Sequence, residues 1–131
     1  TGWQAGPETP EEAGKIVAAI KVAAAEAGRR IDDDHYGAAF PFYFGKPTDP
    51  APARMLEAYK RRTGRDAAPL FAFGGADAIL ERIAAYVDAG VYKFILRPVG
   101  IGDEQVLAQT TQFIETTLPE VTRRWPKPSK R

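Results

Sequence analysis

Ala85-Tyr86-Val87-Asp88-Ala89-Gly90-Val91-Tyr92-Lys93-Phe94-Ile95-Leu96-Arg97-Pro98-Val99-Gly100 contains a helix end, a one-glycine turn and a buried strand. Gly90 is the stop residue, since glycine takes positive φ without penalty just past a helix. Tyr92 to Leu96 is rich in aromatic and aliphatic side chains and has the length of a strand. Pro98 and Gly100 end it. A helix delivered straight into a strand, with another helical pattern behind it, is the grammar of a parallel sheet in an α/β fold.

The rest of the chain is compatible with that reading. At 131 residues it suits one domain with a modest core. A hydrophobic content of 44% with 27% charged residues places it among globular chains and excludes wholesale disorder. No apolar run has the length of a bilayer span, so no membrane role is expected. The lack of cysteine excludes disulfides, thiolate metal sites and a Cys nucleophile, and suits a cytoplasmic location. The net charge of +1 gives no bulk affinity for nucleic acid. Five of the last nine residues are basic (Arg123, Arg124, Lys127, Lys130, Arg131), but Trp125 is the single aromatic among them and no nucleic-acid partner is expected.

Towards the N-terminus, Thr9-Pro10-Glu11-Glu12 is a helix start: Thr9 caps, Pro10 takes the first helical position and Glu12 closes a capping box. Ile16, Val17, Ile20, Ala23, Ala24 and Ala27 recur on one face until Gly28. Asp32-Asp33-Asp34 reads as a solvated turn in preference to a cation site, having no calcium-loop spacing. His35 to Phe44 reads as a strand with two unlike parities. Tyr36, Ala38, Phe40, Phe42 and Phe44 are large and should face helices. His35, Gly37, Ala39, Pro41 and Tyr43 are mostly small and should face a crowded interior or a ligand. Pro41 cannot donate to a ladder, so a bulge or an end to regular pairing is expected there.

Asp49-Pro50 starts a short helix with Met55, Leu56 and Tyr59 on its apolar side, ending near Gly64. Its basic side (Arg54, Lys60, Arg61, Arg62) is read as a solvated face in preference to a phosphate contact. Leu70 to Phe73 is a short extended segment. Gly74-Gly75 opens the next helix and could offer free N–H groups to an anion, although most such pairs are ordinary turns. Ile79, Leu80, Ile83, Ala84 and Val87 form its buried face. Gly102-Asp103 caps the last helix, with an apolar stripe of Val106, Leu107, Phe113, Ile114 and Leu118. Residues 122–131 are read as a basic, flexible tail.

Common catalytic constellations are missing: there is no HExxH, GxSxG, Walker loop or GxGxxG. The single histidine, His35, sits at the N-terminal end of its strand, the wrong end for chemistry in a parallel sheet. Arg97 is better placed, at the C-terminal end of its strand and on the parity opposite Phe94 and Leu96. It points either into a functional site or to an ion pair that closes the sheet. Tyr43, by the same parity and position, is the second candidate.

Gly2-Trp3, Thr9-Pro10-Glu11-Glu12, Ala27-Gly28-Arg29, the second strand, the glycine-led helix start, Tyr86-Val87-Asp88-Ala89-Gly90-Val91 and Leu96-Arg97-Pro98 form an ordered series. Over residues 1–121 this series resembles the C-terminal part of luciferase-like monooxygenases, which are flavin- or deazaflavin-dependent oxidoreductases. Gly75-Ala76-Asp77 departs from the family's usual Gly-Thr/Ser-Pro-Glu, and the basic tail lies outside the pattern. The resemblance implies the C-terminal portion of a (β/α)8 TIM barrel, with parallel strands alternating with helices. A whole barrel takes about 250 residues, so this chain is expected to be incomplete alone, with an N-terminal barrel segment or further copies of itself as partner. The resemblance further implies FMN or the deazaflavin coenzyme F-420 as cofactor, a small-molecule substrate, and Trp3, Tyr43 and Arg97 as walls of the cofactor or substrate pocket. A different class of reading, a small non-catalytic α/β interaction module using an exposed sheet edge and the basic tail, accounts for the missing catalytic residues but not for the ordered series.

Overall fold

The computed structural model describes residues 2–127. The chain is α/β, with an all-parallel four-stranded sheet and helices between the strands. In order, the elements are β1 (Trp3–Ala5), α1 (Pro10–Glu26), a 3-10 turn (Asp33–His35), β2 (Tyr36–Tyr43), α2 (Pro50–Thr63), β3 (Ala72–Phe73), α3 (Ala76–Asp88), β4 (Lys93–Pro98), α4 (Gly102–Thr116) and α5 (Leu118–Arg124). Among the described residues no helix is long and apolar enough to cross a membrane.

β2 is the centre. It pairs with β4 from Gly37↔Lys93 to Phe42↔Pro98. Its other edge is shared: β1 pairs with its start (Trp3↔Tyr36 to Ala5↔Ala38) and β3 with its end (Phe42↔Ala72, Tyr43↔Phe73). The expected break at Pro41 does not occur, because pairing runs straight through Pro41↔Arg97. The hydrogen bonds explain why. The carbonyls of Tyr36 and Phe42 accept from Tyr92 and Val99 on the β4 side, whereas that of Tyr43 accepts from Gly74 and Gly75 on the β3 side. In a parallel strand the N–H and C=O of one residue point to the same edge. Pro41 shares Tyr43's parity, so its missing N–H falls on the shared edge, in the gap between β1 and β3, where no ladder bond is lost.

The two parities of β2 separate as expected. Tyr36, Ala38, Phe40 and Phe42 are all buried in one core with Ala13 and Val17 of α1 and Ile79, Ile83 and Tyr86 of α3; Phe113 of α4 and Val121 of α5 pack at its border. These four helices therefore cover one face of the sheet. α2 stands apart and builds a second cluster from Tyr59, Ala67 and Leu70, with Leu56 and Phe71 against it. Tyr86 is the largest departure from the expected α3 face: it is fully buried, its ring stacks on Phe40 (6.0 Å, 9°), and its hydroxyl donates to the Glu8 carbonyl (2.8 Å). The hydroxyl thus ties the β1–α1 loop to α3.

The caps follow local chemistry. Thr9 Oγ1 accepts from Glu12 N–H, and Glu12 Oε1 accepts from Thr9 N–H, both at 3.2 Å, closing the capping box. The Thr9 backbone bond and the Arg65 guanidinium hold the Glu12 carboxyl below the usual range. Gly90 has φ +97° and lies so close to Val17 that a Cβ would sit 3.1 Å from its Cγ1. The expected stripe is at most half-buried: Val106 and Phe113 of α4 are partly covered, while Leu107 and Ile114 of α4 and Leu118 of α5 are 65%, 51% and 39% exposed. The inward side instead carries Gln109, whose side chain accepts from Phe44 N–H (2.7 Å) and donates to Phe44 C=O (3.2 Å), extending the sheet's bonding past the end of β2.

The helical segment also continues past residue 121. α5 reaches Arg124, and Trp125 packs against the main core, so the first part of the expected tail is structured. Glu120 accepts from Arg123 Nε (3.0 Å) and Arg124 Nε (2.6 Å), and these bonds pull its carboxyl down to about 2. The end of the tail, residues 128–131, lies outside the described residues.

Two outcomes are expected from this core. Phe40→Ala removes the ring that joins β2 to α3 and β4, and a loss of about 3–5 kcal/mol is expected in urea unfolding. Burial pushes the Tyr86 pKa up to about 12, from an ordinary value of 10.0. Above pH 10 the unfolded chain releases this proton while the folded chain keeps it, so stability falls as pH rises and the fall stops above pH 12. Tyr86→Phe removes that dependence. The stability difference between the two proteins should therefore narrow by up to about 3 kcal/mol between pH 10 and 12, measured by urea unfolding at each pH.

Candidate functional site

The face of the sheet opposite the helix layer is where the small parity of β2 and the polar parity of β4 meet. Lys93, Ile95 and Arg97 alternate with Phe94 and Leu96, and the first three are exposed. Ile95 is 52% exposed, although it sits in a strand paired to the centre of the sheet. Parallel sheets are normally covered on both faces; on this face Gly37 and Pro41 of β2 are buried while Lys93, Ile95 and Arg97 of β4 are exposed, so the β4 row is the unusual surface of the fold.

At the C-terminal ends of β2 and β4 this face becomes the floor of an open cleft of about 900 Å³. Its floor is Ala39, Pro41 and Arg97. One wall is α2, through Arg54, Met55, Tyr59 and Arg62; the rim is made by Gly6-Pro7, Phe71 and the Pro98–Ile101 segment. The volume is that of a small-molecule site. Among the described residues the lining contains no carboxylate and no histidine, while Arg54, Arg62 and Arg97 supply three guanidiniums. None of the three pairs with a carboxylate among the described residues. Arg62 lies over the Tyr59 ring, 5.8 Å from its centroid. The Tyr59 hydroxyl is buried and finds no hydrogen-bond partner among the described residues.

The three residues expected at the site do not come together. Arg97 lines the cleft, and among the described residues it makes no ion pair that would close the sheet. Trp3 pairs with Tyr36 at the opposite, N-terminal end of the sheet and packs against the main core, so it forms no wall of the cleft. Tyr43 also lies outside it. Its ring packs edge-on to Phe73 (6.4 Å), and its hydroxyl donates to Asp49 Oδ2 (2.9 Å), which also accepts from Lys46 N–H (3.1 Å). Burial, then the bond to Asp49, pushes the Tyr43 pKa up. Tyr43 thus organises the β2–α2 loop. The N–H groups of Gly74 and Gly75 both donate to the Tyr43 carbonyl (3.0 Å each) and are spent on the turn, leaving them no anion to bind.

Sequence reading missed the contribution of α2. Its basic residues split: Arg61 pairs with Glu57 in solvent (2.8 Å), whereas Arg54 and Arg62 line the cleft. The i, i+4, i+8 series of Arg54, Ala58 and Arg62 beside Met55 and Tyr59 marks one continuous helix face, and that spacing was the available signal. Asp32, Asp34 and His35 bring their ligand atoms within 4.8 Å of one another. They lie at the start of β2, the other end of the sheet, with Asp32 and His35 exposed, which suits the solvated turn expected there.

With no ion-pair partner among the described residues, Arg97 contributes little to holding the fold. Arg97→Ala is expected to change unfolding free energy by no more than about 0.5 kcal/mol, measured as a shift in urea midpoint. A loss well above 1 kcal/mol would return Arg97 to a structural role.

No protein-family model, curated protein or solved structure matches the chain, so the chemistry of the cleft rests on its own residues.

Proposed function

We propose that this chain is the C-terminal part of a (β/α)8 barrel of the luciferase-like type, contributing to an oxidoreductase that uses FMN or the deazaflavin coenzyme F-420 on a small-molecule substrate. The observation that supports this best is the uneven cover of the sheet: parallel strands, four helices on one face, and on the other an exposed β4 row that ends in a cleft at the strands' C-terminal ends. A barrel is the arrangement in which such a face is covered without a second helix layer, because the inward sides of all strands pack on one another. The remaining strands would come from an N-terminal barrel segment or from further copies of this chain.

The cleft suits a planar cofactor or a substrate held beside one. Met55, Pro41 and Phe71 supply apolar wall, and Arg97 supplies a permanent positive charge on the floor. When bound, the flavin or deazaflavin supplies the hydride or oxygen chemistry. Arg97 would hold an anionic group of the cofactor or substrate by charge-assisted hydrogen bonding. The apolar walls would keep water from the reacting face. With no carboxylate or imidazole in the lining, this part of the protein orients and charges the site and does not move protons through it.

A second reading, a non-catalytic interaction module, is favoured by the exposed Ile95 on β4 and by the exposed Leu107 and Ile114 of α4 with Leu118 of α5. Native mass spectrometry with added FMN and F-420 separates the two. The oxidoreductase reading expects a complex heavier than the 14.3 kDa monomer, with cofactor mass retained. A cofactor-free monomer that leaves flavin and deazaflavin fluorescence unchanged would overturn it in favour of the module.

A further inference from the structure

We infer that the cleft between α2 and the β4 end is a receptor for an amphipathic oxyanion, a small molecule with an apolar or aromatic body and a phosphate or carboxylate group, in which Arg54 and Arg62 of α2 act together with Arg97. The inference takes from the proposed function only that this cleft is the site; it holds whether or not the occupant is a flavin.

Three observations carry it. The first is charge. The lining carries three guanidiniums and no acidic side chain, in a chain whose acidic and basic residues are nearly equal in number. Arginines on a protein surface readily find carboxylates, as Arg61, Arg65, Arg123 and Arg124 do here. Those of the cleft have none among the described residues, so their donors are available to a ligand. Planar guanidiniums match the geometry of carboxylate and phosphate oxygens. The second is the Tyr59 hydroxyl. It belongs to a residue only 7% exposed, in the wall of this cleft, and has no partner among the described residues. Leaving a buried hydroxyl unpaired is costly, and a ligand oxygen would relieve that cost. The third is the apolar remainder of the lining, Pro41, Met55 and Phe71, which would cover the body of such a molecule and has no use for a bare inorganic ion.

The experiment is isothermal titration of the full chain with 1-naphthyl phosphate, 1-naphthoate and uncharged 1-naphthol, with FMN and riboflavin alongside. Both naphthyl anions, or one of them, should bind at least about tenfold tighter than naphthol. The preference should weaken as salt is raised. Arg54→Gln with Arg62→Gln should reduce anion affinity by about tenfold or more and leave naphthol binding unchanged. Both residues are exposed, so the far-UV circular dichroism of this variant should match the parent. Tyr59→Phe should weaken the anions several-fold while the unfolding midpoint stays at or above the parental value, since an unpaired buried hydroxyl is removed. Equal binding of anion and naphthol, no binding of either anion, or a double variant with parental anion affinity would overturn the inference. The flavin arm is independent. Naphthyl anions bound without FMN would leave this inference standing and remove FMN as the cofactor. FMN and riboflavin bound equally, with no preference among the naphthyl probes, would do the reverse.

Discussion

The period-two alternation of β2 is the constraint on which the structure depends. Each residue of a strand must commit its side chain to one face, and β2 commits Tyr36, Ala38, Phe40 and Phe42 to one and Gly37, Ala39 and Pro41 to the other. The large set gives α1, α3 and α4 something to pack on, so all of them gather on that side. The small set leaves a shallow floor that no described helix fills completely. A one-residue slip in register would exchange these faces and dissolve both the core and the cleft.

The same commitment allows a proline at the centre of the sheet. Pro41 is tolerated because the chain splits one edge of β2 between two short strands, and the imide nitrogen falls in the interval between them. At that level Pro41 joins Arg97 across the β2–β4 pair and helps to form the floor of the cleft. The backbone irregularity therefore sits where the surface is most concave, and the ladder to β4 stays whole. Gln109 does similar work at the end of β2, replacing a missing strand neighbour with its own amide on both backbone groups of Phe44.

The cleft is built from opposites. Its floor belongs to the rigid sheet, while its arginine-bearing wall belongs to α2, which has its own small core of Tyr59, Ala67 and Leu70. The wall's position relative to the floor is set by the β2–α2 loop, where Asp49 accepts from both Tyr43 and Lys46. A residue first read as pocket wall, Tyr43, thus acts one step away from the cleft by holding the loop that leads to it.

Much of the fold was legible in the residues themselves. The helix starts at Thr9 and Asp49, the stops at Gly28, Gly64 and Gly90, and the face of β2 that meets the helices are written in local chemistry: the Thr9 capping box, Pro50 at the first position of α2, positive φ and alternation act over a few residues and leave their mark in them. The position of Arg97 at the end of β4 was legible for the same reason. What only the tertiary structure decided was which residues meet. Trp3 and Tyr43 share the right composition with a pocket wall but end on the core side and in a loop bond. Leu107, Ile114 and Leu118 have the period of a buried face but lie outward, because Gln109 and Phe113 occupy the sheet side. Arg54 and Arg62 are solvent-exposed, as a basic helix face suggests, and they also line the cleft, which their spacing alone does not show. Periodicity determines which side chains share a face of an element; where that face is placed depends on contacts between segments distant in the chain, and no local pattern records them.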